Sequence, residues 1–198
     1  MLKAAITGNI AAGKSKVCRY LEKMGYAIVS ADHIAHDVIN SPSVIEGFAD
    51  YDVFDSSGTI DRSKMGKLVF ANSILRKKLE AIMHPLIRVQ INEFFQSHSD
   101  EDIVFAEIPL LFETGTEDQY DIVILVYTDD DIRLKRLMLR DNLSESEALA
   151  RMKSQQSQDD KAKKATHVIL NNEDDGDLSS QIFAILINYN HQKSGKKE

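Results

Sequence analysis

The chain has 198 residues, 43% of them hydrophobic, which suits one folded domain with a sizeable core rather than a disordered chain. Its formal net charge of −7 speaks against a broad nucleic-acid surface, so an anionic ligand needs a local cluster of cations. No apolar stretch approaches the ~18 residues that span a bilayer, the start lacks the charged and apolar regions of a secretory signal, and the one cysteine, Cys18, forms no internal disulfide, so a reducing cytoplasm is the expected compartment.

Leu2–Thr7 reads as a short buried strand, followed by a glycine-containing loop over Gly8–Ser15. Val17, Tyr20, Leu21 and Met24 recur at helical spacing, and Gly25 stands where a left-handed C-terminal cap is expected. Ala27–Ser30 is a second strand, and the helix over ADHIAHDVIN stops at Ser41-Pro42. DVFDSSGTIDR is turn-rich. From Asn72 to His98 the apolar period is helical (Leu75, Leu79, Ile82, Met83, Leu86, Ile91, Phe95), with a break or kink predicted near His84 because Pro85 interrupts it. Ile103–Ile108 and Asp121–Tyr127 are continuous apolar runs of the kind found in fully buried strands. Ser144 and Glu147 spell a capping box that opens a helix through about Gln156. His167–Leu170 is a last strand, Leu178–Tyr189 a last helix, and SGKKE a frayed tail. Strands separated by helices require parallel pairing with crossovers, hence an α/β sandwich.

GNIAAGKS (Gly8–Ser15) fits G-x-x-x-x-G-K-S in the order strand, loop, helix, which is the phosphate-binding loop in its required context. Glycines let successive N–H groups turn inward, and the following helix adds free N–H groups and its positive end. Lys14 reaches the outer phosphates and Ser15 offers a hydroxyl to magnesium. Three classes use such a loop: small-molecule kinases, GTP-driven switches and ATPase motors. Asp55–Gly58 (DSSG) fits one switch motif, and Asn171–Asp174 (NNED) approaches the other without its lysine. DSSG follows no buried strand and reads as a surface turn, so the kinase reading is preferred.

Further motifs run in order through the chain: SADHIAHDV, GTIDR, MHPLI, EIPLLFE (Glu107–Glu113), RLKRLMLRD, RMKSQQS and KKATHVILNN. Together they resemble the dephospho-CoA kinase family from about residue 2 to 186. The resemblance implies a P-loop nucleoside-kinase-like α/β/α three-layer sandwich on a parallel five-stranded sheet. It implies a core of about 1–32, 101–130 and 165–190, a helical acceptor lobe of about 33–100 and a lid of about 131–164. It further implies transfer of the γ-phosphoryl of ATP, with Mg²⁺, to the ribose 3′-hydroxyl of dephospho-CoA, in a cytoplasmic enzyme without nucleic-acid or membrane partners, a monomer being favoured. The loop departs from the family's usual GGIGSGKST at Asn9, Ala11, Ala12 and Lys16, and Ala11 tolerates positive φ less well than glycine. Thr166 replaces an acidic residue, and the family's DAD is SAD here, keeping only Asp32.

Asp32 ends strand two, at the sheet edge where open α/β folds hold ligands, and its carboxylate suits either the hydroxyl proton, a magnesium-bound water or a helix N-cap; the resemblance favours the catalytic role. Arg133, Arg136 and Arg140 share one helical face, as phosphate clamps or as a solvated basic stripe. The resemblance makes Arg140 the best phosphate contact, beside Lys14, and adds Arg136, with Lys161 in similar work. It assigns the ATP phosphates to Gly8, Ala11, Ala12, Gly13, Lys14, Ser15 and Lys16, and the adenine to Asn171, for which a turn role is the rival. On the acceptor side it assigns Asp32, Arg62, His84, Leu110 and Leu111, the two leucines being equally suited to core packing. Metal contacts fall to Ser15, and through water to Asp32 or Glu107. Cys18 reads as a core residue.

Overall fold

The computed structural model describes residues 1–172 and 178–194; Glu173 and Asp174 of the second switch motif, and 195–198 of the tail, lie outside the described residues. The strands β1 (Leu2–Thr7), β2 (Ile28–Ser30), β3 (Ile103–Glu107), β4 (Ile122–Tyr127) and β5 (His167–Leu170) form one five-stranded sheet in the order β2-β3-β1-β4-β5. β1 runs parallel to both β3 and β4, and β4 parallel to β5. β3 and β4 are buried along nearly their whole length, because both faces of the sheet are covered.

The period of two divides the strand residues between two packed layers. Ala4, Ile6, Phe105, Ile124 and Ile169 face one way, onto Val17 and Leu21 of α1 (Lys14–Lys23) and Leu178, Ile182 and Leu186 of α9 (Leu178–Ser194). Ala5 and Val123 face the other way, with Leu111 and Phe112. The fold is therefore a three-layer α/β/α sandwich. At the sheet edge, the side-chain amide of Gln181 accepts from Leu170 N–H at 2.8 Å and donates to its carbonyl at 3.0 Å. Val168 and Leu170 leave apolar side chains exposed on this strand. His167 Nε2 meets the Tyr189 hydroxyl at 2.7 Å, tying the start of β5 to α9.

Residues 1–28 and 98–198 form one compact unit, and Val29–Ser97 a second. The second unit contains α2 (Ala31–Val38), α3 (Pro42–Gly47), α4 (Arg62–Ala71) and α5 (Ser73–Ser97), with α2, α3 and α4 all packed against α5. α2 ends at Val38, two residues short of the predicted stretch and ahead of Ser41-Pro42, and Pro42 opens α3, since proline's missing N–H is not needed in a first turn. Asp61 caps α4, accepting from Ser63 and Lys64 N–H at 2.8 and 3.1 Å. Of the break or kink expected near His84, the break does not occur: α5 is one helix of 25 residues with Pro85 inside it. Proline there costs about 3 kcal/mol. Burial of Leu75, Met83, Ile91 and Phe95 on both sides of it outweighs that loss.

The first unit adds α6 (Asp130–Asp141), α7 (Glu145–Lys153) and α8 (Gln158–Ala162). The capping box forms as expected, Ser144 accepting from Glu147 N–H and Glu147 from Ser144 N–H. α7 ends at Lys153, so Gln155 and Gln156 fall in the connection to α8. Among the described residues no helix is long and apolar enough to cross a membrane.

Candidate active site

Two glycines do what no side chain permits. Gly8 has φ 156°, and a Cβ there would stand 2.5 Å from the Val126 carbonyl oxygen. Gly13 has φ 92°, and its Cβ would run into the Asn171 amide. Between them Ala11 takes φ 62°, a left-handed conformation that costs an L-residue about 1–2 kcal/mol. The loop thus keeps its turn with alanine at this position. The backbone N–H groups of Ala11, Gly13 and Ser15 have no acceptor among the described residues. They belong to the loop and to the first turn of α1, whose positive end adds to their pull on an anion. Lys14 Nζ donates to the Gly8 carbonyl at 2.9 Å, folding back over the loop, and the Ser15 side chain is exposed.

The loop is held from beneath. The Ala12 carbonyl accepts from Asn171 Nδ2 at 2.8 Å and lies 3.0 Å from Thr128 Oγ1. Asn171 is 4% exposed, so its carboxamide is spent on the loop, which is neither of the two roles considered for it. Arg136 donates to the Asn171 carbonyl at 2.9 Å. Arg133 is 2% exposed, donates from Nε to the Ile10 carbonyl at 3.0 Å and pairs with Asp130 at 2.8 Å. Burial pulls its guanidinium below the ordinary arginine value.

The three arginines therefore form no solvated stripe. Arg133 and Arg136 are turned onto backbone carbonyls, and only Arg140 is largely exposed, paired with Asp141 through Nε at 2.7 Å and Nη2 at 3.1 Å. Lys161 corrects a second expectation. Its side chain is fully buried and donates to Asn9 Oδ1 and Glu113 Oε1, both at 2.6 Å, so its charge is matched by a protein carboxylate and it is no lid cation.

Leu111 corrects a third: it is fully buried against Ala5, Phe112 and Val123 and has no surface to offer an acceptor, while Leu110 is 46% exposed. Glu107 ends β3, half-buried. Burial first, and then the Glu107 charge, push the Cys18 thiol up to about 12, which makes it an inert core group as read from the sequence.

In the second unit, Asp32 lies in the first turn of α2, after the cap position Ser30, with an exposed carboxylate and no side-chain hydrogen bond among the described residues. It is not the N-cap; the helix's positive end stabilises its charge. Arg62 opens α4, exposed, and His84 is half-buried in α5. These three residues lie on three different helices. DSSG is a closed surface turn: the Asp55 carboxylate accepts from the N–H and hydroxyl groups of Ser57 and Thr59, which hold its carboxyl well below the usual range. A carboxylate so engaged within its own turn is no nucleotide sensor.

Among the described residues there is no group of three or more His, Cys, Asp or Glu that would hold a metal by itself. The exposed Ser15 hydroxyl and the carboxylates of Asp32 and Glu107 are hard oxygen donors of the kind magnesium takes, singly or through water, alongside phosphates. Sequence reasoning assigned no role to Thr128, Gln155, Gln156 or Glu113, although Glu113 closes EIPLLFE and the two glutamines lie in RMKSQQS; what the motifs did not show is that the first three meet the loop and Glu113 the buried Lys161.

A model of the dephospho-CoA kinase family matches residues 2–177. The dephospho-CoA kinase of Listeria innocua is 37% identical over 198 residues, covering 95% of this chain and 97% of that protein. That of Geobacillus kaustophilus is 38% identical over 192 residues, covering 93% and 95%. Among solved structures, a Thermus thermophilus protein superposes with TM-score 0.82 at 34% identity, covering 94% of this chain and 97% of that one. Dephospho-CoA kinase from Campylobacter jejuni does so with 0.75 at 32%, covering 96% and 98%. The shikimate kinase of Bacteroides thetaiotaomicron, at 13% identity and TM-score 0.51, shares the fold alone.

Proposed function

The chain belongs to the dephospho-CoA kinase family, which catalyses the final, ATP-dependent step of coenzyme A synthesis, and we propose that it phosphorylates the ribose 3′-hydroxyl of dephospho-CoA with ATP as donor. The observation that carries this reading is the Gly8–Ser15 loop, with N–H groups left without acceptors and Lys14 folded over it.

The N–H groups of Ala11, Gly13 and Ser15 and the Lys14 ammonium receive the β- and γ-phosphates. Phosphoryl transfer asks mainly for positioning and charge neutralisation. Arg140, exposed and held only by a surface partner, is the cation free to move onto the transferring group, with Arg136 behind it. Magnesium bound with the nucleotide would neutralise phosphate charge, held by the Ser15 hydroxyl, with Asp32 or Glu107 reaching it through water. Asp32 orients the 3′-hydroxyl and takes its proton. Arg62, His84 and the exposed Leu110 receive the acceptor. Residues of about 33–100 act as the acceptor lobe and about 131–164 as the lid, in a cytoplasmic, monomeric enzyme without nucleic-acid partners.

The test is ADP release with dephospho-CoA, adenosine and nucleoside monophosphates compared. Turnover with dephospho-CoA is expected, and its loss by a factor on the order of 10² or more in Lys14→Ala. Strong turnover with adenosine or a monophosphate and none with dephospho-CoA would overturn the reading. Asp32→Asn should abolish most turnover while ATP binding persists; an active asparagine variant removes Asp32 from the chemistry.

A further inference from the structure

The side chain of Asn9 and the main-chain groups of the adjacent Ile10 are engaged from outside the loop. Asn9 Oδ1 accepts from Lys161 at 2.6 Å, and Asn9 Nδ2 donates to the Gln156 carbonyl at 2.9 Å. Ile10 N–H donates to Gln155 Oε1 at 2.7 Å, and the Ile10 carbonyl accepts from Arg133. Three of these four contacts come from the short stretch 155–161. The next residue in the loop is Ala11, in its left-handed conformation. A strained residue persists where its surroundings over-determine it, and the Asn9–Ile10 corner is the fixed point beside it.

Lys161 is the central member. Its ammonium is fully buried and shared between Asn9 and Glu113. The other Glu113 oxygen, Oε2, is buried without a hydrogen-bond partner. A buried ion pair with one oxygen unsatisfied is a poor device for stability, since desolvation offsets much of its attraction and apolar residues would pack as well. It is a good device for geometry, because it fixes one nitrogen between two oxygens. We infer that Lys161, paired with Glu113, is a positioning residue that locks the Asn9–Ile10 corner and so keeps the loop in the shape that receives ATP. The inference rests on the reading that this loop holds the phosphates of ATP.

Asn9→Ala removes the loop's side of the lock and strands no charge. Two hydrogen bonds are lost, from Lys161 and to the Gln156 carbonyl, so hydrogen exchange of the full chain should quicken at least about tenfold in residues 8–13 and stay unchanged in residues 122–127 of β4. KM for ATP should rise about tenfold and KM for dephospho-CoA should not move. Lys161→Met should show the same pattern more strongly; if it fails to fold, Asn9→Ala carries the test. Unchanged exchange in 8–13, equal acceleration in 122–127, or a freed loop with wild-type ATP kinetics each overturn the lock. Lys14→Ala in the same assay separates the two ideas, because intact turnover in that variant defeats the phosphate reading itself.

Discussion

Ala11 and Gly13 are two residues apart, and both have positive φ, yet substitution should act on them in opposite ways. Ala11→Gly relieves a left-handed alanine and should stabilise the chain by about 1 kcal/mol, raising Tm by roughly 2–4 °C. Gly13→Ala adds a Cβ against the Asn171 amide as well as backbone strain, so it should lower Tm and loosen the loop. Thermal melts of the two variants check this; a lower Tm for Ala11→Gly would show that the loop's surroundings favour alanine there. The loop itself was legible in the sequence because contiguous residues spell it. Its supports were not. Asn9 and Lys161 lie 152 positions apart, and only folding shows that they meet. Spacing placed Arg133, Arg136 and Arg140 on one helical face, but it does not say which end of that face is buried. Arg133 proved to be under the loop for that reason.

At the level of elements, β1 and β5 fall where their apolar runs placed them, and the capping box opened α7 as spelled. Three short or weakly patterned helices, α3, α4 and α8, went unread. Each buries only one or two side chains, too few for a period to stand out against turn-forming neighbours. At Pro85 no break follows, since local propensity yielded to packing along α5. The joint between β5 and α9 carries a pH dependence. Burial lowers the His167 pKa below its ordinary 6.5. Between the lowered folded value and 6.5 the unfolded chain therefore binds more protons, and this contribution to stability is present above pH 6.5 and lost as pH falls. Tm measured at pH 7.5 and 5.5 should fall less in His167→Gln than in the parent chain. An equal fall in both would place the acid sensitivity elsewhere.

Across the whole molecule, stability and turnover depend on different charges. The Arg140–Asp141 pair is at the surface, with 58% of the arginine side chain exposed, and such pairs contribute about 0–1 kcal/mol. Arg140→Ala should therefore leave Tm nearly unchanged. If Arg140 moves onto the transferring phosphoryl group, kcat should nevertheless fall on the order of 10²-fold while ATP affinity changes little. Arg140→Lys should recover only part, lacking the planar fork. A rise in KM for ATP with kcat intact would make the arginine a contributor of uniform binding. Gln181 acts at this scale too. An outermost strand of a parallel sheet is a template on which a foreign strand can grow, and here it also shows bare Val168 and Leu170 to solvent. By lending its amide to both main-chain groups of Leu170, Gln181 occupies the place that an incoming backbone would take. The sheet is closed at Leu170 by that side chain, and molecules crowded together gain no hydrogen bonds to that residue by joining strand to strand.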